Sequence, residues 1–267
     1  MKKLNLLIII LLVASCNYTD PDPLSVLRSG QWIDLTWDFD ENTIYWPTNE
    51  PFRHDTVFYG ISENGYFYSS FKYSAEEHGG THFDAPVHFG QGQNSIEQVH
   101  VSQCTGEGIV VDVSEKALQN ADYLVTTEDF ISWESEYGQI PDQAIVLLYT
   151  GYGQFWNEPE KYIGTAKSGA DAIPELHFPG LDPDAAEWLV KERNIRAVGL
   201  DTPSIDYGQS EDFMTHRILC EHGLTIYENV ANLDRVPSVG AYIIALPMKI
   251  KGGSGAPLRI VAFISSS

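Results

Sequence analysis

A chain of 267 residues, 43% hydrophobic and 12% aromatic, is too apolar for a disordered polymer and long enough for one large domain or two small ones. Its formal net charge of −21 argues against nucleic acid and anionic lipid headgroups as partners, because both are bound through basic patches. The same charge is what a solvated acidic surface would give, so it names no substrate.

The chain opens with Lys2 and Lys3, then an apolar run from Leu4 to Val13 that is too short to span a membrane comfortably. Val13-Ala14-Ser15-Cys16 follows and resembles a bacterial lipobox, in which the cysteine is lipidated and becomes the first mature residue. An ordinary cleaved secretory signal is the alternative. Residues 1–15 are therefore expected to be a signal peptide, residues 16–28 a lipid-anchored tether, and residues 29–267 the folded domain. This makes the chain an exported bacterial lipoprotein, facing the periplasm or the cell exterior, whose only membrane contact is the anchor at Cys16. Cys104 and Cys220 are compatible with either a disulfide or two buried thiols.

Alternation predicts a strand at Ile33–Asp38, aromatic and serine content one at Tyr66–Ser74, and short apolar runs predict buried strands at Ile109–Val113, Ala144–Tyr149 and Ile195–Leu200. A helix is expected from Thr126 to Tyr137, with Thr126 or Thr127 as its cap. Residues 154–180 carry prolines and glycines without periodicity and read as a long ordered excursion. Asp182 caps a predicted helix to Asn194, with Pro183 in its first turn. A short helix over Phe213–Glu221 closes at Gly223. Strands are expected at Leu224–Glu228, Ala241–Ile250 and Leu258–Ile264. No linker interrupts the chain after the tether, so one mixed α/β domain is the economical reading.

The chemistry concentrates in Glu77-His78-Gly79-Gly80-Thr81-His82-Phe83-Asp84-Ala85-Pro86-Val87-His88. His78 and His82 have helical spacing, but Gly79-Gly80 between them disfavours a helix, and the glutamate of an HExxH motif is missing. In an extended chain, positions 78, 82, 84 and 88 share a face. A straight strand would put its ends roughly 33 Å apart, so convergence requires bends, for which Gly79-Gly80 and Pro86 provide places. Imidazole and carboxylate together suit a divalent metal: zinc, with manganese or iron as alternatives. Glu228 shares a strand face with Leu224 and Ile226; a carboxylate there must be paired, protonated or metal-bound. His216 lies on the preceding predicted helix, and by itself it is as well explained as a capping or core histidine.

The pattern His78-x-Gly80-Thr81-His82-x-Asp84-x-Pro86-x-His88 resembles the signature of the metal-dependent cyclase family, which includes bacterial kynurenine formamidases and isatin hydrolases. The resemblance continues through Ile33–Thr36, Tyr45–Pro47, Asp201–Asp206, His216, Glu228-Asn229 and Leu246–Lys249. It implies an α/β fold, a swivelling β/β/α domain with a mixed sheet, and assembly as a homodimer or homotetramer. It also implies that His78, His82 and Asp84 hold a first Zn2+, and that Asp84, Glu228 and His216 hold a second, with Mn2+ as the other candidate metal. His88 then resembles the general acid/base, and Trp46 an aromatic that contacts substrate, with Tyr66 or Phe89 as neighbours. Two departures stand out. Trp46-Pro47 is followed by Thr48-Asn49 instead of Gly-Asp, and the 154–180 excursion is longer than in compact formamidases.

The activity expected first is hydrolysis of the small-molecule amide N-formyl-L-kynurenine to L-kynurenine and formate, an arylformamidase step of tryptophan catabolism using metal-activated water. Isatin hydrolase-like ring opening of a cyclic amide or lactone is the alternative. A lipoprotein that binds a small ligand without chemistry is the reading of another class.

Overall fold

In chain order the strands are β1 (Gln31–Asp34), β2 (Arg53–Ile61), β3 (Phe67–Ser74), β4 (His82–Asp84), β5 (Thr105–Asp112), β6 (Leu124–Val125), β7 (Ile145–Tyr149), β8 (Gly180–Leu181), β9 (Ala197–Leu200), β10 (Thr225–Glu228), β11 (Ala241–Pro247) and β12 (Gly255–Ile264). The helices are α1 (Pro23–Ser29), α2 (Ser114–Ala117), α3 (Thr127–Tyr137), α4 (Pro159–Tyr162), α5 (Pro183–Glu192) and α6 (Met214–Glu221). This computed structural model describes residues 22–266. Residues 1–15, expected to be a signal peptide, and Cys16, expected to be the lipid anchor, lie outside the described residues. α1 begins in the stretch read as tether and ends one residue beyond it, at Ser29; Asp22 caps it by accepting the Leu24 N–H.

The main sheet runs β1-β12-β11-β5-β7-β9-β10-β4, and β4 also pairs with β12. Seven strands thus close into a ring, with β1 sharing the β12 edge beside β4. The centre of the sheet, β5, β7, β9 and β10, is parallel; the remaining pairings are antiparallel. Parallel strands are buried on both faces, which is why their sequences are continuously apolar instead of alternating. Val146, Leu148, Val198 and Ile226 face the helices, whereas Ile145, Leu147, Ala197 and Tyr227 face the inside of the ring. The swivelling β/β/α domain with a mixed sheet is therefore what the chain forms.

Helix starts follow the sequence closely. Thr126 caps α3 in a reciprocal box in which Asp129 accepts the Thr126 N–H at 2.8 Å. Asp182 caps α5 by accepting the Asp184 N–H. The strand expected at Ile33–Asp38 stops at Asp34, where the Asp34 carboxylate accepts the Thr36 N–H and turns the chain. Residues 154–180 form a sequence of short turns and α4, closed over Tyr162 and Phe178. Cys104 and Cys220 are both buried free thiols. The β2–β3 hairpin forms a separate two-stranded sheet.

Candidate metal centre and active-site pocket

Register brings the first donors together. In the antiparallel β4–β10 pair, His82 stands directly opposite Glu228 and Asp84 opposite Ile226. Cross-strand partners point to the same face, and Ile226 packs on the helix side. His82, Asp84 and Glu228 therefore project toward α6, which carries His216. Phe83, between the two ligand candidates, enters the ring interior. The bends expected around the cluster are present. Gly80 has φ +58°, and a Cβ on Gly79 would sit 2.0 Å from the Tyr45 ring, so both positions need glycine. Pro86 starts a one-turn 3-10 helix that ends at His88.

His82 Nε2 lies 3.3 Å from Asp84 Oδ1 and 3.2 Å from Glu228 Oε2. His216 Nε2 lies 3.4 Å from Asp84 Oδ2 and 3.2 Å from Glu228 Oε1. His78 Nδ1 is 2.6 Å from Asp84 Oδ1. All five predicted ligands thus meet around two buried carboxylates. His82 Nε2 and Asp84 Oδ2 are nevertheless buried without a partner in hydrogen-bond geometry. Buried polar atoms left in this state are costly, and a cation between them satisfies both, so the donor set fits a divalent metal.

The electrostatics make the same demand. Burial lowers the His82 pKa, but the Asp84 and Glu228 carboxylates outweigh it and raise it to about 10. His216 is also held well above its usual value: burial opposes this, and Asp206, Asp84 and Glu228 override it. Asp84 is pulled well below the usual carboxylate range, since the surrounding histidines outweigh its burial. The centre therefore retains positive charge, as protons when nothing else supplies it.

Each imidazole is oriented by an outer partner. The Gly80 carbonyl lies 3.0 Å from His82 Nδ1 and also accepts the Asn229 side-chain N–H at 2.7 Å. Tyr162, from the excursion, donates its hydroxyl to Asn229 Oδ1 at 2.8 Å. Asp206 Oδ2 lies 2.6 Å from His216 Nδ1, and its carboxylate also accepts the Thr215 and His216 N–H groups. Ser254 Oγ lies 2.9 Å from His78 Nε2 and donates to Glu77 at 2.8 Å. Asp206→Asn is expected to weaken divalent-metal affinity about 10- to 100-fold, measured by chelator competition. An unchanged affinity would deny Asp206 this role.

His88 is placed differently. Its ring stacks on His78 at 3.8 Å and 18° and meets His216 edge-on at 5.6 Å. One of its nitrogens lies within 4.8 Å of ligand atoms on Asp84 and His216. Among the described residues its side chain makes no hydrogen bond. Burial is the largest influence on its pKa, and with the His78 and His216 charges it outweighs Asp84 and Glu228, pushing it down to about 4. A neutral imidazole with a free lone pair beside the donor cluster can accept a proton at neutral pH.

A cavity of about 310 Å3 opens over these groups, lined among others by Ile44, Trp46, Asn49, Phe89, Ser204 and Phe213. Trp46 meets Phe213 edge-on at 6.2 Å, and Phe89 lies 5.5 Å from Phe213. Trp46 and Phe89 both line this cavity. Tyr66 does not line this cavity; it is exposed beside the turn of the hairpin. Phe213 escaped the sequence reading, as did the orienting groups Asp206, Asn229, Ser254 and Glu77. Phe213 is a bulky residue at φ +51°, a conformation that sequence does not announce and that often marks a site. Asp206 and Asn229 sit inside the matched motifs but carry no distinguishing spacing.

Comparisons with known proteins place the chain in a family. The model of the family described as "Putative cyclase" matches residues 33–207. An isatin hydrolase of Roseibium aggregatum is 29% identical over 196 residues, covering 70% of this chain and 72% of the relative. A kynurenine formamidase of Bacillus cereus is 28% identical over 235 residues, covering 88% and 98%. The solved structure of isatin hydrolase A from Labrenzia aggregata bound to benzyl benzoate superposes with a TM-score of 0.82 at 32% identity, covering 91% of this chain and 98% of that one. With the family model spanning most of the domain and the fold shared almost end to end, the chain belongs to the cyclase family.

Proposed function

We propose that the chain is a metal-dependent amide hydrolase that opens a compact, uncharged aryl cyclic amide of the isatin type. The observation that carries this reading is the lining of the cavity. Aromatic walls from Trp46, Phe89 and Phe213 stand over the donor cluster, and no lysine or arginine is among the described lining residues. N-formyl-L-kynurenine carries an amino-acid carboxylate that needs a positive side chain or several N–H donors. A neutral fused ring needs only apolar walls and the groups at its carbonyl. This reverses the order in which the two substrates were expected. Hydrolysis of N-formylkynurenine remains the second reading, supported by the likeness to a formamidase over 88% of the chain.

His78, His82 and Asp84 would hold one ion, and Asp84, Glu228 and His216 a second, with zinc or manganese suited to the donors. Such ions supply Lewis acidity to the amide carbonyl and lower the pKa of water. The chain's own residues do the rest. Trp46 and Phe213 hold the ring by edge and face contacts. His88 takes the proton of the attacking water at its free ring nitrogen. It then gives that proton to the leaving nitrogen as the C–N bond breaks. The water oxygen ends on the acyl carbon and its second proton is released to solvent, leaving a carboxylate and an arylamine on one product. The likeness of Val13-Ala14-Ser15-Cys16 to a lipobox supports the proposal that the reaction takes place outside the cytoplasm.

The test is turnover of isatin and of N-formyl-L-kynurenine by the purified, metal-supplemented protein. A kcat/KM at least about tenfold higher for isatin is expected, the size of discrimination that pocket fit supplies. Faster hydrolysis of N-formylkynurenine would move the assignment to the second reading.

A further inference from the structure

Residues 154–180, set apart in the sequence by their prolines and glycines, pack with Ile44 and Tyr152 into an apolar cluster around Trp156, Tyr162 and Phe178. Tyr162 is completely buried in it, and Trp156 meets its ring edge-on at 5.4 Å. The ring is thereby fixed, and its hydroxyl reaches out of the cluster to Asn229. Burial, with the Asp201 and Glu228 charges, holds the phenol pKa well above its usual value, so the group is a hydrogen-bond donor at any working pH.

Asn229 follows the ligand candidate Glu228 and is pinned through its backbone. Its N–H donates to the Thr202 carbonyl at 2.9 Å, and its carbonyl accepts the Thr81 hydroxyl at 2.7 Å. What remains to be set is which way the side-chain amide points, since its oxygen and nitrogen ends have nearly the same shape. Gly80 settles one end. Its carbonyl can only accept, so the 2.7 Å contact requires Asn229 Nδ2 there. Asn229 Oδ1 then faces Tyr162 at 2.8 Å and needs a donor. The Tyr162 hydroxyl has one proton and a second acceptor in reach, the Asp201 carbonyl at 3.0 Å. Only donation to Asn229 pairs Oδ1 while the amide nitrogen stays at Gly80. The same Gly80 carbonyl lies 3.0 Å from His82 Nδ1. That nitrogen must carry a proton to be held there, which leaves the lone pair of a neutral ring on Nε2, beside Asp84 and Glu228.

We infer that Tyr162 is a positioning residue for the metal centre, its hydroxyl acting through the Asn229 amide and the Gly80 carbonyl to hold His82 with Nδ1 protonated and Nε2 open to an ion. Without the hydroxyl, Asn229 Oδ1 and the Asp201 carbonyl are buried acceptors with no donor between them. Turning the amide to offer Nδ2 to Asp201 relieves both, and it takes the donor away from Gly80. The Gly80 carbonyl then meets an oxygen, and the His82 ring loses its fixed partner. This gives the excursion a task at the metal centre in addition to its packing. The inference rests on the proposed metal centre and is independent of the substrate.

The test is Zn2+ affinity of the full chain by chelator competition, without substrate. Tyr162→Phe is the variant. Tyr152→Phe is the control, because Tyr152 belongs to the same cluster and its hydroxyl makes no hydrogen bond among the described residues. Tyr162→Phe is expected to bind Zn2+ about 10-fold more weakly, the lower end of what an outer partner of a ligand contributes, and Tyr152→Phe to bind like the wild type. In an Asn229→Ala background, Tyr162→Phe should bring no further loss, because the path is already cut. Nitrogen-15 NMR of the zinc-loaded wild type, which needs no variant, should show the His82 ring protonated at Nδ1. An unchanged affinity in Tyr162→Phe would overturn the inference, as would an equal loss in Tyr152→Phe, additive losses with Asn229→Ala, or a His82 ring protonated at Nε2. Wild-type protein that takes up no Zn2+ would overturn the metal centre and this inference with it; a wild type that binds and a Tyr162→Phe that binds equally would overturn this inference alone.

Discussion

His88→Gln is expected to lower kcat by about 10²- to 10⁴-fold, the range that a positioned proton-transfer group contributes, while leaving bound metal unchanged. Glutamine approximates the size of imidazole but cannot take up and return a proton. The metal content is expected to hold because the ligand contacts run between His78, His82, His216 and the two carboxylates, with His88 stacked against the face of His78. The pH dependence has a definite sign. Burial and the neighbouring histidines push His88 down to about 4, so the base form is present above that pH and is lost as pH falls through it. kcat/KM of the wild type should be level through neutrality and fall on the acid side, as His88 takes up a proton. His88→Gln should lose the rate without showing that limb. A variant within tenfold of wild type, or one stripped of metal, would remove His88 from the proton-transfer role.

The second large effect is at Asp84. Its carboxylate is completely buried and, among the described residues, is the one group in contact with His78, His82 and His216 together. Asp84→Asn keeps the volume and removes the charge. Metal affinity is expected to weaken by more than about 100-fold, beyond what loss of an outer orienting partner costs. Calorimetry also reads the protons. Without metal, His82 retains a proton up to about pH 10, because Asp84 and Glu228 overcome its burial, and His216 is raised in the same direction. A metal must displace these protons, so wild-type affinity should rise with pH and binding should release protons to the buffer. In Asp84→Asn the pH dependence should flatten, since one of the two carboxylates holding those protons is gone. Wild-type affinity independent of pH between 6 and 9 would contradict the shared-carboxylate arrangement.

Most of the site was legible because its parts are local in sequence or lie on strands with a clear face. His78 to His88 spans eleven residues, and a glutamate among Leu224, Ile226 and Glu228 is anomalous on an apolar face whatever the fold. The β4–β10 register, which sets His82 opposite Glu228, joins residues 146 positions apart and has no local signature. For the same reason β4, three residues long, appeared only as an extended stretch. Phe213 depends on a left-handed backbone that the tertiary structure imposes, and Asp206 and Ser254 are defined only by the imidazole each one meets. Caps of α3 and α5 were readable because Thr126 and Asp182 act within a turn of themselves. The hairpin strand β2 was missed because neither of its faces is a core face, so no apolar-polar alternation marks it.

The most direct measurement is isatin hydrolysis followed through metal removal and return. The protein is treated with a chelator, freed of it, and titrated with Zn2+ or Mn2+ while turnover and bound metal are measured together. Activity should disappear with the metal and return in proportion to metal regained, and Asp84→Asn should fail to recover at concentrations that restore the wild type. Turnover that persists in metal-free protein, or fully metal-loaded protein that hydrolyses neither isatin nor N-formylkynurenine, would contradict the assignment.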